Sequence, residues 1–191
     1  MEIPLNEYQL QAATDSKPQD AEKYLAHLNA GMDRFGIHSH IQIASFLATV
    51  QIESARLSTC EESLYYTSAD RLAKIYPRLF KTAKDAEPYV RNHQGLSEGL
   101  YDGYHGRGLI QLTWKRNYEA CSKGLGVDFV KYPTLLLSPE YAALSACWFW
   151  ATNGCNEVAD DMERVTEIVN GKAKMHLAER MDAFAKNLLI A

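Results

Sequence analysis

The sequence predicts a single, predominantly α-helical α+β domain with two lobes, a cleft and a central buried helix. Three observations support this. Apolar residues recur at three- and four-residue spacing through most of the chain, the mark of amphipathic helices. One stretch, residues 92–113, breaks that rhythm with Gly95, Gly99, Gly103, Gly106 and Gly108, so it reads as loop and tight turn followed by a short extended piece. A later stretch, 139–152, is apolar on nearly every side, as a helix enclosed by others must be. With 191 residues, 47% of them apolar, and no repeat or linker, residues 1–191 are expected to share one sizeable core.

Taken in order, residues 17–35 form the first expected helix, with Pro18 near its start, an apolar face at Tyr24, Leu25, Leu28, Met32 and Phe35, and Gly36 beyond its end. Ser39 and Gln42 make a capping-box pattern for the second, which carries Ile43, Phe46, Leu47 and Val50 as one buried stripe. Residues 59–67 read as loop, 69–76 as a short helix stopped by Pro77, and 82–91 as a helix that Pro88 interrupts. Residues 109–113 suit a short strand, with Gln111 and Thr113 toward a cleft and Ile110 and Leu112 toward the core. Helices follow at 113–125, at 139–152 behind Ser138 and Pro139, at 160–169 and at 173–189.

Composition excludes several functions. A net charge of −4 gives no basic footprint for nucleic acid. The longest apolar runs, such as 142–151, are too short to insert in a membrane, and the first residues lack the basic and apolar regions of a Sec signal. Cys60, Cys121, Cys147 and Cys155 show no metal-ligand spacing and read as free thiols of a protein made in a reducing cytoplasm, a Cys147–Cys155 bridge being the alternative. No cofactor and no metal are expected.

The chemistry centres on two carboxylates. Extending the Phe46, Val50 step brings Glu53 onto the core-facing stripe. A carboxyl group buried without a cation favours its neutral form, which is what a general acid needs; the alternative is a helix-end Glu paired with a buried Arg. Glu62 lies among Ser63, Tyr65, Tyr66 and Thr67, a polar setting that suits an ionised carboxylate. Two carboxyl groups in contrasting environments are the arrangement used in glycoside hydrolysis. The glycine-dense stretch ends in Tyr101, Tyr104, His105 and Arg107, groups suited to contacting sugars. Arg107, between two glycines, is equally suited to turning inward to pair with Glu53, and that structural role is the one favoured here.

Four blocks then resemble glycoside hydrolase family 19, the chitinase-like branch of the lysozyme superfamily. ASFLATVQIES at 44–54 resembles its FLAQxxHES segment, and EESLYYTS at 61–68 its ENLNYSA segment. GYHGRGLIQLT at 103–113 matches GRGxIQLT, with Asn117 and Tyr118 on the NY that follows, and 159–171 resembles AD…T…INGG. The resemblance implies a lysozyme-like two-lobed fold, Glu53 as general acid, Glu62 as the base that activates water, and Thr113 as a holder of that water. It further implies Gln111, Asn117 and Asn170 as sugar contacts, beside Tyr66, Tyr104 and Arg107 as substrate-binding candidates. The pattern departs at Ile52, where the family has His, and at Lys172 and Lys174. Arg180 is the alternative partner for Glu53. An inverting mechanism is expected, with carboxyl groups roughly 6.5–9.5 Å apart.

These features point to a bacteriophage-type endolysin that hydrolyses β-1,4 bonds of the peptidoglycan glycan strand. It is expected as a monomer, made in the cytoplasm and released to the cell wall with the help of a holin. Alternatives from other classes are a glycan-binding relative without turnover, a delivered effector muramidase, a chitinase and a lytic transglycosylase.

Overall fold

The computed structural model describes residues 1–190, and its architecture is the expected one, mostly helical with two lobes around a cleft. Chain order is α1 Glu7–Thr14, α2 Pro18–Arg34, α3 His40–Glu53, α4 Ala69–Ile75, α5 Ala83–Ala86, α6 His93–Tyr101, α7 Lys115–Leu125, α8 Pro139–Thr152, α9 Met162–Asn170 and α10 Leu177–Asn187, with short 3-10 turns after α5, α7 and α8.

The main core is built on α3 and α8. The Ser39–Gln42 capping box closes in both directions, Gln42 N to Ser39 Oγ at 3.2 Å and Ser39 N to Gln42 Oε1 at 3.0 Å, fixing where α3 begins. Every residue of α3 from Ile43 to Gln51 is buried, so this helix is more uniformly enclosed than the single stripe expected of it. Helix α8 is also core, although Leu144 and Phe149 keep some exposure. It crosses α2 at Gly31, where an added Cβ would sit 2.8 Å from Cys147 Sγ, so glycine sets how closely those helices approach. All four cysteines are free; burial pushes the thiols of Cys121 and Cys155 up to about 12, leaving them protonated and inert.

A second, smaller core of Leu64, Leu72, Phe80, Ala86 and Leu96 makes the other lobe. Here the sequence expectation needs correcting. Residues 93–101 form α6 rather than loop, capped by Asn92 Oδ1, which accepts from Gly95 N at 2.9 Å, and ended by Asp102 in the left-handed region. Gly95 and Gly99 therefore mark close packing, not turns; an added Cβ on Gly99 would stand 3.3 Å from Tyr89. The helix expected at 82–91 shrinks to α5 and one 3-10 turn, as Pro88 requires. The helix expected at 17–35 is α2, and a helix not expected from the sequence, α1, precedes it on an Asn6–Gln9 capping box. The last one spans only Leu177–Asn187, because Lys174 and His176 take positive φ.

The strand expected at 109–113 is absent among the described residues. Arg107 instead bridges both Glu61 and Leu112, and the intervening residues form a tight turn. Gly108 at φ 76° makes that turn against α8, where a side chain would meet Ser145 Oγ at 2.9 Å. Gln111 also takes φ 55°, a conformation no strand residue adopts.

Candidate active site

Glu53 is the last residue of α3, with 14% of its side chain exposed. Arg180 of α10, whose side chain is 1% exposed, donates from Nη2 to Glu53 Oε1. The favoured pairing with Arg107 is therefore wrong, and the alternative, Arg180, is the partner. The reason is helix docking: α10 lies along α3, pinned by Asn187 Nδ2 to Ala44 O at 3.1 Å, and this aims Arg180 at the end of α3. Arg107 faces the other way. It is 6% exposed, donates from Nη1 to Gly103 O (3.2 Å) and Tyr118 Oη (3.0 Å), and lies 3.5 Å from Glu61.

Between the two glutamates the chain passes through Ala55, Arg56 and Leu57, all at positive φ (47°, 65° and 63°). Such a run costs about 1–2 kcal/mol per residue. Ser54 holds it in place, with Oγ donating to Val50 O (2.6 Å) while accepting from Leu57 N (2.9 Å). This abrupt reversal brings Glu62 back toward Glu53 within nine residues.

Both Glu62 oxygens are held. Oε1 accepts from Tyr101 Oη at 2.9 Å and Oε2 from Gly106 N at 3.1 Å, while Glu62 N donates to Gly106 O at 2.9 Å. Burial, followed by the Glu62 charge, pushes the Tyr101 hydroxyl well above its ordinary pKa, so it remains a donor.

Glu53 and Glu62 share a cleft of about 360 Å³ with Gln111, Thr113 and Asn170. Thr113 Oγ1 donates to Gln111 O at 2.8 Å, which leaves its lone pairs free to accept from a water. Asn170 Oδ1 accepts from Met175 N at 2.8 Å, which leaves its amide NH2 as the donor for a ligand.

The other candidates lie outside the cleft lining. Asn117 donates to Thr113 O at 2.7 Å and so braces the turn that presents Thr113. Tyr104 packs on Tyr118 in the main core and donates to Val130 O at 3.3 Å. Tyr66 is tied to Tyr76 through a 3.0 Å hydroxyl contact over the smaller core. Tyr66, Tyr104, Arg107 and Asn117 thus do not line this cleft, whereas Tyr101 and Trp114 do. Trp114 escaped the sequence reading, since a lone aromatic after Thr113 has no periodic signal. It lines the cleft at 48% exposure, takes φ 75°, and packs edge-on to Tyr101 with ring centroids 5.1 Å apart.

Behind Glu62 lies a polar cluster that the sequence did not disclose. His105, 2% exposed, contacts Ser97 Oγ through Nδ1 (2.6 Å) and Glu61 Oε1 through Nε2 (2.9 Å). Burial holds its pKa below the usual 6.5, so the ring is neutral at pH 7.

The profile described as "Chitinase class I" matches residues 39–184, a span that contains every cleft residue named above. The chain belongs to glycoside hydrolase family 19. This family 19 domain is 29% identical over 160 residues to a glycosyl hydrolase family 19 domain-containing protein of Haemophilus influenzae, covering 75% of this chain and 78% of that one. Endochitinase 1 of Theobroma cacao is 48% identical over 50 residues, which is 26% of this chain but only 16% of the plant protein. Chitinase C from Streptomyces griseus HUT6037 superposes with a TM-score of 0.65 at 20% identity, over 98% of this chain and 76% of that one. A bacterial family 19 chitinase gives 0.67 at 19%, over 98% and 95%. At those identities the likeness is one of fold. Family membership makes the domain a glycosidase acting on a polysaccharide.

Proposed function

We propose that this family 19 glycosidase is an endolysin that hydrolyses β-1,4 bonds of the peptidoglycan glycan strand with inversion. The observation that carries the chemistry is the shared cleft of Glu53 and Glu62, each held by a different set of partners. Arg180 occupies Glu53 Oε1, which leaves Oε2 to deliver a proton to the glycosidic oxygen. Glu62, steadied by Tyr101 and Gly106, takes a proton from a water that also donates to Thr113 Oγ1. That water then attacks the anomeric carbon from the face opposite the leaving group. Gln111 and Asn170 offer amide groups to the N-acetyl and hydroxyl groups of the sugar, and Trp114 offers a face for a sugar ring to stack on.

Four free cysteines, three of them buried, fit a protein made in a bacterial cytoplasm and released to the wall with a holin. A second reading, chitin as substrate, is favoured by the endochitinase names of the plant relatives. Digests of purified peptidoglycan and of chitin oligomers, analysed by mass spectrometry and by NMR of the first-formed anomer, test the proposal. Hydrolysed muropeptides with an inverted anomeric centre are expected. Anhydro products, or turnover of chitin alone, would overturn the reading. Glu53→Gln and Glu62→Gln should each fold yet lose roughly 100-fold or more in rate.

A further inference from the structure

On the side of Glu62 away from the cleft, Glu61, His93 and His105 bring one donor atom each to within 4.8 Å of one another, from three separate chain segments. We propose that these three side chains form a binding site for one zinc-class transition-metal ion, which clamps α6 to the segment carrying Glu62. The inference does not depend on which glycan the enzyme cleaves.

The donor set selects the ion. Two imidazoles and a carboxylate suit Zn²⁺ and its neighbours, whereas Ca²⁺ and Mg²⁺ call for oxygen throughout. His105 is already arranged as such a ligand. In the metal-free protein Nε2–H donates to Glu61 Oε1 and Nδ1 accepts from Ser97 Oγ–H. An ion taking the place of the Nε2 proton would leave Nδ1–H to donate to Ser97 Oγ, which can turn to accept. A hydrogen bond of this kind to the second ring nitrogen fixes the tautomer of metal-bound histidines. Buried His105 cannot swing, but Glu61, 39% exposed, and His93, half-buried, stand on a rim and can close the remaining gap. Tetrahedral zinc with bonds of about 2.0–2.1 Å holds its donors roughly 3.4 Å apart. A cavity of about 290 Å³ opens on all three side chains, giving an entry path and room for a water as fourth ligand.

Arg107 is the opposing feature. Its Nε, 3.5 Å from Glu61, makes no hydrogen bond even though it is buried, so that contact is loose. Its Nη1 is anchored on Gly103 and Tyr118, and the guanidinium stays in place when Glu61 turns. The nearby positive charge opposes the ion and makes binding weaker than at a site without it. Occupancy would act on catalysis through the backbone, because Glu61 adjoins Glu62 and His93 Nε2 lies 3.4 Å from Glu62 O.

The test is titration of tag-free protein with ZnCl2, by calorimetry and by thermal melting. One ion per chain, a melting temperature raised by zinc and restored by EDTA, and a ¹⁵N shift at His105 Nε2 rather than Nδ1 are expected. His93→Ala and Glu61→Gln, each first shown by its metal-free melt to fold, should bind at least ~10-fold more weakly, a loss that removing even a group hydrogen-bonded to a ligand can produce. Absence of saturable one-ion binding, unchanged affinity in both variants, or coordination at Nδ1 would overturn the site.

Discussion

Replacing Arg180 with Met is the most direct probe of how this active site is held. The methionine keeps an unbranched stem of comparable length in the same packing, so the main loss is the guanidinium. Arg180 is 1% exposed and Glu53 14%, so the variant leaves a carboxylate nearly buried with its cation gone. Breaking a buried pair from one side costs about 3–5 kcal/mol, and the opening of Glu53 to the cleft argues for the lower end. In a chain of this length about 3 kcal/mol corresponds to a drop of roughly 6–12 °C in melting temperature. Thermal melts should be run in a cycle with Glu53→Gln, where no stranded charge remains and Arg180→Met should cost clearly less. Equal losses in the two backgrounds, or a variant that melts within about 1 °C of wild type, would refute the reasoning, because contacting residues couple by about 0.5–3 kcal/mol.

Three further outcomes follow from the same geometry. Tyr101→Phe removes a hydrogen bond to a charged carboxylate, worth about 1.5–3 kcal/mol, so the melting temperature should fall by roughly 3–12 °C, and kcat should fall as well because Glu62 loses one of its two anchors. Trp114→Ala should raise KM more than it lowers kcat; because Trp114 sits at φ 75°, Trp114→Gly should be at least as stable as Trp114→Ala in urea unfolding. His105, held below its ordinary pKa of 6.5 by burial, binds its proton less readily folded than unfolded; its contribution to stability is full above about pH 6.5 and is lost as pH falls toward the folded value. Melting temperature measured against pH should therefore decline less steeply below that point in His105→Asn than in wild type.

Much of this was legible in the residues themselves. Ser39 with Gln42 and Ser138 with Pro139 placed the starts of α3 and α8, since a cap satisfies amide groups within one turn of itself. The stripe from Ile43 to Val50 carried Glu53 to the inner end of α3, and helical periodicity alone does that. The GRGLIQLT block announced Gln111 and Thr113, although the turn that presents them takes a positive φ where a strand was expected. Helix α6 was hidden because its glycines mimic loop composition; only the smaller core shows that Gly99 is there to make room for Tyr89.

What the tertiary structure alone decided is who pairs with whom. Arg180 lies 127 positions from Glu53, Tyr101 lies 39 from Glu62, and His105 lies 44 from Glu61. Arg107 and Arg180 were equally plausible partners by residue type, and the angle at which α10 docks on α3 chose between them. A cap or an apolar stripe is settled over a few residues of one chain segment, where spacing is fixed by the helix itself. An ion pair between segments depends on side-chain packing across the interface, which determines how the two helices settle against each other and therefore which charge reaches which.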